Sequence, residues 1–314
     1  MEPPGGAVTN AIGFDVEHWY NAALLQDTVE NPDDHVEHSV RTVLDVLSSH
    51  EVQATFFVVG DIARNYPELL RRIRDAGHEL ASHGHTHTSI WDTTPSEFRA
   101  ELSDSRRAIE SATGVTPDGF RAPNFSLTRT TEWAIPILED SQYRYDSSVF
   151  PTWTPMYGVR TDQRTPYVMD VDQPFSAPDR DSADAGLVEF PVSVTDTTPA
   201  IPIAGGFYAR VLPRLVLERG IERLNRRGVP ANLFFHPWEF NPDVRTTAPA
   251  IHERFISFYG IDSLRSKLAH LLSAFSFDSV GTVLEQHRSR RTDRQTSERQ
   301  RSSSRDATTG ASDA

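Results

Sequence analysis

The run Ala54–Thr55–Phe56–Phe57–Val58–Val59 is almost continuously apolar, rich in aromatic and β-branched residues, and stops at Gly60. It does not alternate polar with apolar, so it reads as a strand buried on both faces. Such a strand belongs in a parallel sheet with helices packed on it, and the flanking segments supply those helices. His35 to Ser49 repeats Val36, Val40, Val43, Leu44 and Leu47 at helical spacing. Pro67 to Ala76 is a second helix, with Gly77 placed as its C-terminal cap.

The same alternation runs along the chain. Ala11–Glu17, the segment leading into His83, Gly119–Arg121, Tyr143–Asp146, Leu187–Val194 and Ala231–His236 read as further strands. Helices are expected over Pro95–Thr113 with Gly114 as the stop, Thr130–Asp140, Val211–Arg227 and Ala250–Ala274. Residues 151–191 are rich in Pro, Asp, Ser and Thr and read as irregular loops. Repeated βαβ units predict an α/β fold, barrel or doubly wound. Three regions are expected: an N-terminal tail over 1–9, one domain over 10–287, and a disordered tail over 288–314, where almost nothing is apolar.

Composition excludes several classes. The chain has no cysteine, which removes disulfides, thiolate catalysis and thiolate metal sites. Its net charge is −13 from 31 basic and 44 acidic residues, so nucleic acid is not an expected partner. No apolar run reaches the ~18 residues a membrane span needs, and the first residues lack a basic, then apolar, leader pattern. A cytoplasmic location is the expectation, at most along the inner membrane face.

The chemistry-bearing residues sit where the strands end: Asp15, Glu17, His83, Arg121, Asp146 and His236. In a parallel barrel these ends share one rim, where active sites form. His83 and His87 are four residues apart, a spacing that brings two imidazoles to one face of a turn. Cysteine-free, the chain must hold any metal by His, Asp or Glu. Glu17 is the expected third ligand, and two imidazoles with one carboxylate leave open coordination positions. Asp15 is then the candidate base, Arg121 its ion-pair partner, and His236 the candidate acid for an amide leaving group.

In order, Phe14–Asp15–Val16–Glu17, His83–Gly84–His85–Thr86–His87, Arg121–Ala122–Pro123–Asn124, Asp146–Ser147–Ser148 and Phe235–His236–Pro237–Trp238 together resemble the polysaccharide deacetylases with a NodB homology domain, the family 4 carbohydrate esterases. Ala204–Gly205–Gly206–Phe207–Tyr208 and His236–Pro242 resemble the branch associated with exopolysaccharide and sortase-like export systems. The resemblance spans about residues 10–285. It implies a distorted (β/α)7 barrel in one domain and hydrolysis of N-acetyl groups on an amino-sugar polysaccharide or its precursor. It implies a divalent metal, zinc first, with cobalt, nickel or manganese as alternatives. By position it makes Asp15 the base, His83 and His87 metal ligands, Arg121 the residue that orients the base, and His236 the acid. Asp146, Ser147 and Ser148 would line the acetyl pocket, with a backbone N–H for the oxyanion, and Trp238 would touch substrate.

The match departs from the family where Glu17 stands for a metal-binding aspartate. His18, next to it, is a spare ligand, and Glu239 is the nominated partner of His236. His85, between the two ligands, reads as a solvated loop residue. Three other readings stay open: hydrolysis of a small non-sugar amide on the same fold, an iron oxygenase, and a non-catalytic carbohydrate-binding relative.

Overall fold

The computed structural model describes residues 8–26, 28–176, 186–197 and 199–290. The strands are β1 (Asn10–Val16), β2 (Thr55–Val58), β3 (Glu79–Ser82), β4 (Gly119–Phe120), β5 (Tyr145–Asp146), β6 (Tyr167–Val168), β7 (Val188–Glu189), β8 (Asn232–Phe235) and β9 (Phe277–Asp278). Around them lie α1 (Val36–Ser49), α2 (Gly60–Asn65), α3 (Pro67–Asp75), α4 (Pro95–Thr113), α5 (Ala134–Asp140), α6 (Gly206–Val211), α7 (Arg214–Arg226), α8 (Ile251–Phe258) and α9 (Ile261–Ala274). A last helix covers 280–290.

One sheet runs in the order β6-β7-β5-β4-β3-β2-β1-β8, with β9 also on β1. Every ladder is parallel except β6–β7. The sheet is curled into a half-barrel. The segment that follows β7 is joined to β8 by polar bonds. The Ser193 N–H donates to the Asn232 carbonyl at 3.0 Å, and the Asn232 N–H donates to Ser193 Oγ at 2.8 Å. The Asn232 side-chain amide adds a bond to the Phe190 carbonyl at 2.8 Å. The α/β half-barrel is thus tied across its open side by Asn232 and Ser193.

The residues explain the layers. All seven residues of β1 and all four of β2 are buried, as strands covered on both faces must be. Helix α1 buries Val36, Val40, Val43 and Leu47 on one stripe. Helix α4 opens on a Thr94–Glu97 capping box with Pro95 in the first turn, and stops at Gly114 in the left-handed region.

Some boundaries shift for local reasons. The helix expected from Thr130 starts at Ala134, because the Thr131 hydroxyl donates to the Ser126 carbonyl at 2.7 Å and holds a turn there. Pro136 then falls in the first turn, where its missing N–H costs nothing. The helix expected over Ala250–Ala274 divides at Gly260, which has φ 76°. Only Val188–Glu189 of the expected 187–194 strand forms a ladder. In the expected tail, residues 288–290 continue the last helix; 291–314 lie outside the described residues, as do 1–7 of the expected N-terminal tail. No helix among the described residues is long and apolar enough to cross a membrane.

Register sets up the rim. Asp15 is opposite Phe57, Val58 opposite Ser82, Ser82 opposite Phe120, and Phe120 opposite Asp146. Phe14 is opposite Phe235. Successive parallel strands thus end level with one another, just before His83, Arg121 and His236.

Behind this rim two carboxyls share the interior. Asp146 and Glu189 are ladder partners, both wholly buried, and each keeps one oxygen without a hydrogen-bond partner. A shared proton would satisfy both. Burial pushes the Asp146 carboxyl up to about 6, and burial with the Asp146 charge pushes Glu189 well above its usual range. A folded value above the unfolded one gives stability that is complete at low pH and is lost as pH rises through the folded value. The thermal midpoint should therefore fall as pH rises through about 6 and beyond, and Glu189→Gln should flatten that fall. Circular-dichroism melts of the two proteins across this range would settle it; parallel curves would refute the shared proton.

Candidate active site

The loop after β3 carries both histidines. Glu101 from α4 fixes it by accepting the backbone N–H groups of His85 at 2.7 Å and Thr86 at 2.9 Å. Gly84 and His87 both take positive φ, 73° and 63°, so the chain turns back on itself. The His83 and His87 rings end 5.2 Å apart. His83 Nδ1 lies 2.8 Å from the Arg121 carbonyl. A carbonyl only accepts, so Nδ1 carries the proton and Nε2 is left as a lone-pair donor.

Glu17 follows β1 directly and is 5% exposed. Its Oε2 lies against His87 Nε2. The Trp238 indole N–H donates to its other oxygen at 3.1 Å, and His236 Nε2 stands 3.7 Å from that oxygen. The ligand atoms of Glu17, His83 and His87 all lie within 4.8 Å of one another. The donor chemistry fits a divalent ion: two imidazoles, one carboxylate, all buried, with the His83 tautomer and one Glu17 oxygen held from outside. Burial brings His83 down to about 4, so its ring is neutral, the form that ligates. Burial raises the Glu17 carboxyl, but the His87 and His236 imidazoles outweigh it and hold it at about 2.

His18 stands apart from this group. It stacks on Tyr20 at 4.8 Å and faces Asp34 at 3.6 Å. His85 is buried, not solvated: its ring sits 3.0 Å from Arg64 Nη2 and 3.4 Å from Asp61 Oδ1. Gly60 leaves room for it, since a Cβ there would lie 2.1 Å from His85 Nδ1.

Asp15, 1% exposed, accepts a hydrogen bond from Arg121 Nη1 at 2.6 Å. Arg121 is wholly buried. Its Nε donates to the Ser147 carbonyl and its Nη2 to Ser147 Oγ, each at 2.9 Å, and its guanidinium lies 4.0 Å above the Phe57 ring. Asn232 Nδ2 reaches Ser147 Oγ at 3.0 Å. Asn232 was not singled out from the sequence; the signal was a lone amide inside an apolar strand. Asp15 acts electrostatically on both His83 and His236, so base, metal group and second imidazole form one cup.

Asp146, Ser147 and Ser148 lie in the interior, all three fully buried. Ser147 holds Arg121. The Ser148 hydroxyl accepts the Ala122 N–H at 2.8 Å and donates to Asp146. The Ser147 N–H goes to the Phe120 carbonyl, and that of Ser148 to Glu189. These groups scaffold the guanidinium and leave no amide for an oxyanion. Trp238 is 5% exposed, and its indole N–H serves Glu17.

His236 follows β8, stacked on Trp238 at 5.5 Å. Its Nδ1 lies 3.3 Å from Glu239 Oε2, the nominated partner, and its backbone N–H donates to the same oxygen at 3.0 Å. Arg210, absent from the sequence reading, pairs with Glu239 Oε1 at 3.1 Å, both buried. Burial lowers the His236 imidazole, but Glu17, Glu239 and Asp15 together raise it to about 9, so the ring is an imidazolium at neutral pH.

A polysaccharide deacetylase profile matches residues 31–145, and a domain of unknown function (DUF3473) matches 147–285. The boundary between them falls inside β5, and one sheet runs through both. Over 82 residues the chain is 46% identical to a chitooligosaccharide deacetylase of Bradyrhizobium sp. (strain ANU 289), covering 26% of this chain and 37% of the relative. Over 116 residues it is 29% identical to a peptidoglycan-N-acetylglucosamine deacetylase of Bacillus cereus, covering 37% and 42%. The chain thus spans well under half the length of these relatives. A solved structure from Mycobacterium smegmatis, provisionally assigned as a polysaccharide deacetylase, superposes with a TM-score of 0.62 over 93% of this chain and 94% of that one, at 22% identity; this likeness concerns the fold. The polysaccharide deacetylase profile spans the two histidines and Arg121, and the fold is shared with the solved structure along almost the whole chain.

Proposed function

We propose that the protein is a metal-dependent hydrolase that removes N-acetyl groups from an amino-sugar polymer or its precursor. One observation carries the reading: a buried carboxyl locked to an arginine, Asp15–Arg121, and an imidazole held by a carboxyl, His236–Glu239, flank the Glu17–His83–His87 group. Amide hydrolysis needs a base for water and an acid for the departing nitrogen on opposite sides of the carbonyl.

Glu17, His83 and His87 would hold the ion, with zinc the first choice by resemblance to the family and cobalt, nickel or manganese as alternatives. Bound there, it would supply Lewis acidity toward the acyl oxygen and toward water. Asp15 takes the proton from the attacking water. Arg121 fixes the direction of the Asp15 carboxyl through a short hydrogen bond. His236, protonated, gives its Nε2 proton to the leaving amine, while Glu239 holds Nδ1–H and the ring's orientation. The curated relatives' names, one for chitooligosaccharide and one for peptidoglycan N-acetylglucosamine, support an N-acetylated amino sugar as substrate class.

Zinc-loaded protein should release acetate from N-acetylglucosamine oligomers, and chelation should stop it. Asp15→Asn should cut turnover about 10²–10⁴-fold while keeping its metal. A metal-loaded wild type that leaves every N-acetylated glycan in a broad panel intact would sink the proposal. Trp238→Phe, which removes the N–H that holds Glu17, should weaken zinc binding about 10–100-fold with unchanged far-ultraviolet dichroism. Metal analysis after dialysis against a graded chelator reads this, and full zinc retention would show that the indole does not support the ligand.

A further inference from the structure

Loop 150–159 is built to present one phenol. The Val159 N–H donates to the Phe150 carbonyl at 2.9 Å, the Thr154 N–H to the Tyr157 carbonyl at 3.0 Å, and the Tyr157 N–H to Thr154 Oγ1 at 3.0 Å. This tight loop lays the Tyr157 ring on Phe150 at 5.0 Å and Phe125 at 5.5 Å. Phe125 packs on Phe234 at 4.6 Å, and Phe234 meets the His236 ring at 5.9 Å. Arg121 lies 5.8 Å from the Phe125 ring. The ring wall that borders Arg121 and His236 therefore also carries Tyr157.

A second phenol comes from Ala204–Gly205–Gly206–Phe207–Tyr208, a motif the catalytic reading leaves unused. Its glycines are sterically required. A Cβ on Gly205 would meet the Phe234 ring at 2.7 Å, and one on Gly206 would lie 1.7 Å from Glu239 Oε2. Seating this backbone on Phe234 and Glu239 brings Tyr208 to the same wall, 6.3 Å from Phe150. Both tyrosines are half-buried, and neither hydroxyl has a hydrogen-bond partner among the described residues. The Tyr157 hydroxyl feels Tyr208, Glu239 and Asp15, and with burial these hold it protonated, as a donor.

We propose that Tyr157 and Tyr208 form a phenol pair on the wall of the cup that hydrogen-bonds the hydroxyl or acyl oxygens of the amino-sugar ring presented to His236. This rests on the deacetylase reading and adds to it the residues that recognise the sugar. Two half-buried phenols on a rigid aromatic bed suit a polyhydroxylated ring, which offers acceptors and an apolar face together.

The test is steady-state kinetics of the zinc-loaded full chain on N-acetylglucosamine oligomers, with calorimetric binding of the same oligomers as an arm that needs no turnover. Tyr157→Phe and Tyr208→Phe keep the rings and remove only the hydroxyls. Each should raise KM, and weaken binding, by about five- to tenfold, with kcat within about twofold. Zinc content and melting temperature should match wild type. Tyr157→Ala, by contrast, should also lower the melting temperature, because it empties the ring bed. Phe variants with wild-type KM and affinity would overturn the phenol pair and leave the deacetylase reading standing. A wild type that neither turns over nor binds the oligomers would remove both.

Discussion

The Asp15–Arg121 pair is the interaction on which the rest of the centre depends. Both partners are out of contact with water, so neither charge is tolerable without the other; removing one from such a pair costs about 3–5 kcal/mol. The guanidinium has no freedom left. One nitrogen goes to Asp15, two go to Ser147, and the flat face lies on Phe57. The Arg121 carbonyl then sets the His83 tautomer. A single residue so connects the candidate base to a candidate metal ligand.

That arginine also explains the interior of the half-barrel. Ser147 is shared between Arg121 and Asn232, and Asn232 ties β8 to the segment that follows β7. Closure of the sheet and placement of the guanidinium are one hydrogen-bond network. This is why Asp146, Ser147 and Ser148, which look like pocket residues by motif, are scaffold: the side chains and amides that would face a substrate are consumed in holding the charge. The two profiles that match the chain divide within β5, yet neither segment contains the whole cup. The histidine pair and Arg121 lie in the first, His236 and Glu239 in the second, and Asp15 and Glu17 before both.

On the other side of the cup, His236 depends on a second buried pair. Arg210 holds Glu239, and Arg210 in turn accepts a fixed place by donating to the carbonyls of Ile256 and Tyr259 at 2.9 and 2.7 Å, around the end of α8. The environment of His236 is therefore set by elements from three parts of the chain. Glu239 is three residues from His236 and could be nominated from proximity alone. Arg210 could not, because nothing in its neighbourhood distinguishes it from the many other arginines.

The sequence by itself determined the alternating α/β layout, the positions of β1, β2 and α4, and the polar residues at strand ends. Each of these follows from local physics: burial on two faces, helical periodicity, capping, and the side-chain types that can ligate or titrate. It also placed Asp15, Glu17, His83, Arg121 and His236 as candidates, since parallel strands leave their C-terminal ends on one rim. Only the tertiary structure decided that Glu17 rather than His18 joins the imidazoles, that His85 and Trp238 turn inward, and that Tyr157 and Tyr208 meet on one wall. Those outcomes depend on strand register, on positive-φ turns at Gly84 and His87, and on contacts between residues tens to hundreds of positions apart, for which a local pattern in the chain holds no signal.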